Sequence, residues 1–249
     1  GSTYLVRGDN LGSTPGSGVS NVLVTSAAFS GGNAIAGLAN ISTRPDMLGD
    51  TSLAGSGTSF LTYKAGSGFR VLGAGETLGG ITNMFVTNAN LRLTSNDTFT
   101  TQSAATLTLD SAGGLTGFTR GSIFNPSSIG ILALTGNAGL TGGQIATGGS
   151  SLFFHALDTT NVTAMISGAG LTKAGAGNLN FTVPQYFTGS LVNDGGTVTL
   201  GSGAANTLVV APTATAVTPI ALTVNAGTID LSGQNQAVGA ISNNNAYPG

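Results

Sequence analysis

The chain has 249 residues, of which only 6% are charged, and nine acids against seven bases leave a net charge of −2. That balance excludes the basic footprint of a nucleic-acid binder and the polybasic patch that grips anionic lipid. Cysteine is absent, which removes thiolate metal sites and thiol nucleophiles and suits a chain that crosses an oxidising compartment.

With 40% hydrophobic residues the chain can still build a core, covered by Thr, Ser, Asn and the 41 glycines. No run approaches the roughly 18 apolar residues of a membrane helix, so no membrane insertion of this segment is expected. No signal peptide is legible at Gly1, and the chain reads as an internal or mature piece of an exported protein.

From the N-terminus, residues 19–29 read as a strand or a short helix, and Thr43-Arg44-Pro45-Asp46 as a turn. Beyond them, short period-2 segments recur: Leu91 and Leu93 about Arg92, Leu107 and Leu109 about Thr108, then Leu179, Phe181 and Val183. Val198 and Leu200, then Ile220, Leu222 and Val224, then Ile229 and Leu231 continue the series. Each predicts a strand with one buried face. Between them lie Ala112-Gly113-Gly114, Gly136-Asn137-Ala138-Gly139, Thr147-Gly148-Gly149, Asn193-Asp194-Gly195-Gly196 and Asn225-Ala226-Gly227. Gly and Asn accept the positive φ of sharp corners.

The starts recur about every 15–27 residues, near the length of a solenoid coil. A β-sandwich and a β-solenoid both accommodate short strands. Uniform Gly-bounded strands with small polar outer residues favour the solenoid. Stacked coils set like beside like, where Thr and Asn ladders attract and charge ladders repel. The expected architecture is one all-β solenoid over 1–249, less regular over 1–75 and built of regular coils over 76–249.

Residues 170–182, GLTKAGAGNLNFT, are followed by Tyr186-Phe187-Thr188-Gly189 and by Gly195-Gly196-Thr197-Val198-Thr199-Leu200. This arrangement resembles the autotransporter-associated β-strand repeat, whose pattern runs G-L-T-K-x-G-x-G-x-L-x-L, then Tyr-Thr-Gly, then x-x-G-x-L-x-L. Lys173, Gly175, Gly177 and Leu179 match; Phe181 stands for a Leu and Phe187 is inserted. The close match covers 166–203, and 222–242 looks like a weaker copy. The region 69–80 with 86–110 has the general look of large bacterial surface proteins that carry such repeats. The resemblance implies a right-handed parallel β-helix in an exported surface or passenger region, and no chemistry.

Candidate sites are sparse. Arg7-Gly8-Asp9 spells an integrin-type adhesion tripeptide, which would need an exposed, tightly curved loop. His155 is the only histidine, and a triad with Asp158 would put both on one strand face, which their spacing opposes. It reads as an edge or partly buried structural residue. A polysaccharide-active β-helix enzyme would need clustered carboxylates, for instance Asp97 beside Asp110. Asn40-Ile41-Ser42, Asn96-Asp97-Thr98 and Asn161-Val162-Thr163 are glycosylation sequons. Tyr63, Tyr186 and Tyr247 could stack on sugars, though core or corner roles compete, and Lys173 reads as a solvated corner residue.

No catalytic residue, cofactor-binding residue or metal ligand is assigned. The expected function is a structural, non-catalytic element of an exported bacterial cell-surface protein or extracellular fibre, partnered by copies of itself end to end or by flanking coils of a longer chain. A glycan-binding adhesin for host or environmental glycans is the alternative, and a β-helix enzyme the third reading.

Overall fold

The computed structural model describes residues 2–30, 35–81, 88–117, 119–209 and 219–244. From Leu91 onward every strand pairing is parallel, and the chain winds through about seven turns of a parallel β-helix. Each coil visits three faces. Face A takes Leu91–Leu93, Ser151–Ala156, Ala240–Ser242, the last residues of Thr101–Leu109, Ile123–Ala133 and Met165–Ala174, the middle of Tyr186–Leu200 and the start of Ala221–Asp230. Face B takes Asn96–Phe99, Gly114–Gly117, Gly139–Thr141, Thr160–Val162 and Asn178–Phe181. Face C takes Gln144–Ala146 and the first residues of Thr101–Leu109, Ile123–Ala133, Met165–Ala174 and Tyr186–Leu200.

Residues 166–190 make one whole coil and the start of the next, because Ser167 pairs with Tyr186 and Gly170 with Ser190. Register partners are as close as Leu91 and Leu107 and as far apart as Leu191 and Leu222, so coil length varies while the ladder does not.

Inward residues stack along the axis. On face B, Leu115, Leu140, Val162, Phe181 and Leu200 are in register and buried. On face A, Leu152, Leu171, Leu191 and Leu222 form a second such column. One continuous apolar cluster runs from Ile81 to Leu222. Outward positions of face B carry polar ladders, such as Asn180 donating to Asn161 Oδ1 at 3.1 Å. Leu231, expected at an inward position, falls just past the strand Ala221–Asp230 and is 40% exposed.

The first 75 residues build a separate four-stranded sheet: β1 (Tyr4–Arg7), β2 (Arg44–Asp50), β3 (Ser59–Lys64) and β4 (Gly68–Val71). β1 and β2 are parallel, and the other two pairings are antiparallel. Two expectations fail here. The predicted turn at 43–46 lies mostly within β2, and residues 19–29 are irregular, being neither strand nor helix. The irregular segment packs by side chain, with Phe29 against Tyr63 and Phe69 at ring-centroid distances of 6.1 and 6.2 Å.

The other side of this sheet lies on face A. The outward row Arg92, Thr108, Leu132, His155 and Ala174 is in register, yet Leu132 and His155 are buried. Leu48 and Phe60 of the N-terminal sheet pack on Leu132 and Leu134. Arg92 donates to the Thr58 carbonyl at 3.0 Å, and Thr3 to Asp194 Oδ2 at 3.3 Å. The sheet thus spans several coils and clamps them.

Gly130 sits under this seam, where a Cβ would meet Pro45 and Phe60 at 3.0 Å. Gly130→Val should overpack the seam and cost about 1–3 kcal/mol. Limited proteolysis should then release residues before 76 while the solenoid stays protected. An unchanged cleavage pattern would show that the seam does not hold the two parts together.

Candidate functional site

The buried ionisable groups identify where the chain has committed its chemistry. Lys173 comes first. On face A it occupies an inward position in the column Leu91, Leu107, Ile131, Phe154, Lys173, Asn193 and Val224. Its relative exposure is 0%, so the expectation of a solvated corner residue is corrected.

The Lys173 ammonium donates to the carbonyls of Gly175 at 2.6 Å, Gly177 at 2.5 Å and Gly195. The first two belong to its own corner and the third to the corner of the next coil. Gly196 has a positive φ, and a Cβ there would collide with the Gly177 carbonyl and with Nζ, which is why this corner needs glycine. Asn193, next in the column, repeats the arrangement. Its amide donates to Gly196 O at 3.3 Å and Thr228 O at 3.0 Å, and its Oδ1 accepts from Gly195 N at 3.3 Å. The two side chains tie three successive corners together.

Burial pushes the Lys173 pKa down to about 8, so the group is still mostly charged at neutral pH. A buried charge is tolerable only when its protons are taken up, and the three carbonyls take them.

His155 is 2% exposed, more deeply buried than an edge residue. Its Nε2 lies 2.8 Å from the Pro45 carbonyl. A carbonyl only accepts, so Nε2 carries the proton. Phe60 meets the ring edge-on at 5.9 Å. Burial lowers the imidazole pKa to about 4, against the pull of Pro45 and of Asp46 and Asp194. Asp158 is not its partner. The Asp158 carboxylate accepts from Gly136 N at 3.0 Å and Thr159 N at 2.8 Å, and these bonds lower its pKa.

Glu76 is 2% exposed. Burial alone would raise its pKa, but the bidentate Arg70 guanidinium, 2.6 Å from each oxygen, and the N–H groups of Gly37 and Gly73, both at 2.7 Å, hold it at about 2.

The remaining acids, exposed Asp9 apart, are likewise engaged. Asp50 accepts from Ser52 N and Gly57 N, Asp97 from Ile81 N and Thr98 N, and Asp230 from Ser232 N. Asp46 pairs with Arg44, and Asp110 with Arg92. Asp194 accepts from Thr3 and Asn225. Asp97 and Asp110 thus serve separate partners. Among the described residues no three His, Cys, Asp or Glu side chains gather at one point.

The other candidates are scattered. Arg7 ends β1 and donates to the Gly55 carbonyl at 3.0 Å; Gly8 is buried against Ser20, and Asp9 is exposed. The tripeptide is therefore pinned, not carried on a free tip. Asn96 and Asn161 lie in outward ladders, accepting from Thr116 and Asn180, and Asn40 is half-buried. Tyr63 is half-buried, and its hydroxyl donates to Val24 O at 3.1 Å. Tyr186 is 45% exposed. Tyr247 lies outside the described residues. Sequence reasoning missed the burial of Lys173, although its spacing of two from inward Leu171 carried the signal.

Comparison of the chain with protein-family models, curated proteins and solved structures finds no match in any of the three.

Two outcomes follow. Lys173→Met would leave three corner carbonyls without their donor and should cost about 3 kcal/mol, seen as a lowered denaturant midpoint. The His155 shift predicts acid lability. The unfolded chain binds a proton near pH 6.5 and the folded chain only near 4, so the stability contribution is complete above 6.5 and is lost as pH falls. Between pH 7.5 and 4.5 the loss should approach about 2.5 kcal/mol. Denaturant titration at the two pH values checks this, and His155→Gln should flatten the difference. The Glu76 contribution has the same sign but begins only below pH 4.5.

Proposed function

We propose that this chain is a structural, non-catalytic element of an exported bacterial cell-surface protein or extracellular fibre, serving as a stalk, display segment or filament building block. The supporting observation is how its ionisable groups are used. Lys173, His155, Glu76, Asp50, Asp97 and Asp158 spend their hydrogen bonds on backbone groups. A catalytic acid or base needs a free face towards substrate. Here these groups hold corners, caps and the seam with the N-terminal sheet.

The solenoid supplies the mechanics. Each coil covers the core and the backbone groups of its neighbour, so the molecule gains length without a thicker core. The resemblance of 166–203 to the autotransporter-associated repeat supports export and surface display, with flanking coils or end-to-end copies as partners. The low charge supports the same setting, because in-register stacking would bring like charges together at every coil.

The test is location and shape. Antibodies raised against the chain should label the outside of intact source cells, and negative-stain images should show labelled rods or fibres. Labelling that appears only after lysis would overturn the reading.

A further inference from the structure

We propose that a groove along the corner between faces B and C binds an acidic oligosaccharide, a role beyond the structural one and independent of it. The groove has a volume of about 440 Å³ and is lined by Arg120, Gly143, Thr163, Met165, Pro184 and Tyr186. These residues come from four successive coils, because Ile123, Gln144 and Met165 are in register and Tyr186 follows on Ser167. The groove therefore runs parallel to the axis across three strand spacings, or about 14 Å.

Its chemistry is divided along its length. At one end Arg120 is exposed, and among the described residues its guanidinium has no hydrogen-bond or ion-pair partner. Arginine presents a planar fork that matches a carboxylate with two parallel hydrogen bonds. At the other end Tyr186 is 45% exposed, and offers a ring face and a phenol. The floor between them is Met165 and Pro184, with a bare stretch at Gly142 and Gly143. Both glycines have positive φ, and a Cβ on Gly143 would press on the Ser122 carbonyl, so the corner geometry itself keeps side chains out of the groove.

A ligand that fits is flat on one side, hydroxylated, extended and negatively charged: a short chain of carboxylated sugars. One ring would stack on Tyr186 and a carboxylate further along would meet Arg120. An extended peptide fits less well. Peptides bind sheets by adding to a free strand edge, whereas here the backbone groups of faces B and C point along the axis into neighbouring coils.

Titration calorimetry of the 249-residue chain with oligogalacturonate of three to four units tests the site, with cellotetraose as the neutral probe and a short oligoglutamate as the acidic peptide. The acidic sugar should bind saturably, at least tenfold more tightly than either control. Arg120→Gln and Tyr186→Ala should each weaken it about tenfold, the loss of one charge-assisted contact or one stacked ring. Tyr186→Phe should retain most of the affinity, and Lys64→Gln, in the N-terminal sheet, should change nothing. Circular dichroism of each variant checks that the fold is intact. Absent saturable binding, equal binding of cellotetraose or oligoglutamate, or full affinity in folded Arg120→Gln would each overturn the proposal.

Discussion

The constraint on which this molecule depends is the parallel ladder along its axis. Once the strands pair in parallel and in register, each residue meets its counterpart in the next coil at about 4.8 Å, and whatever one coil puts inside the next must accept. Apolar columns satisfy this easily, as Leu152, Leu171, Leu191 and Leu222 do. A charge cannot be repeated. Lys173 is followed in its column not by another lysine but by Asn193, a neutral group that also reaches corner carbonyls. The same rule governs the outside, where Asn161 and Asn180 bond side by side. The low charge content is a consequence of the ladder, not an independent trait.

The corners follow from the ladder too. A coil that turns three times must expose carbonyls at each turn, and stacking places those carbonyls in line. They have to be satisfied from within, from the side or by water. Lys173 and Asn193 satisfy them from within at the A–B corner, while Asp158 and Asp97 cap N–H groups from the side. Glycine at these positions serves less to make the chain flexible than to let a polar side chain reach the turn. This explains why the GLTKAGAG stretch joins a lysine to two spaced glycines.

The strands were legible wherever one face is buried and the other is wet, as at Leu91 and Leu93 or Leu179 and Phe181. Legibility failed where a second layer covers the outer face. Leu132 and His155 point outward from the solenoid yet are buried under Phe60 and Pro45, and nothing local to residues 130–133 or 151–156 announces a sheet laid over them. Pro45 misled for a related reason. It reads as a turn former, but in β2 its carbonyl is the group that holds His155. By residue type Lys173 reads as solvated, whereas strand alternation puts it inside. Its position two after inward Leu171 placed it inside, and the glycines that follow supply its partners. The groove at Arg120 and Tyr186 was legible only as an isolated tyrosine, because its members lie in four different coils and meet through register alone.

The two ends of the solenoid differ, and the difference bears on how coils can be added. At the N-terminal end, Asn90 N donates to Ala39 O at 2.7 Å, its amide donates to Ile41 O at 2.9 Å, and its Oδ1 accepts from Thr106 at 2.8 Å. Leu78 bridges to Leu91 on the same end. The first coil is thereby covered by Ala39 and Ile41, from the connection between β1 and β2, and by Leu78, which follows β4. At the other end, Ile241 continues the inward column after Leu222 but is 73% exposed. An exposed isoleucine in register with a buried leucine column is, among the described residues, a core position with no strand paired beyond it. A further coil placed there would cover it and extend the ladder. A copy arriving at the opposite end would first have to displace the bonds to Ala39 and Ile41. Among the described residues, head-to-tail stacking therefore meets a covered face at one end and an exposed core position at the other.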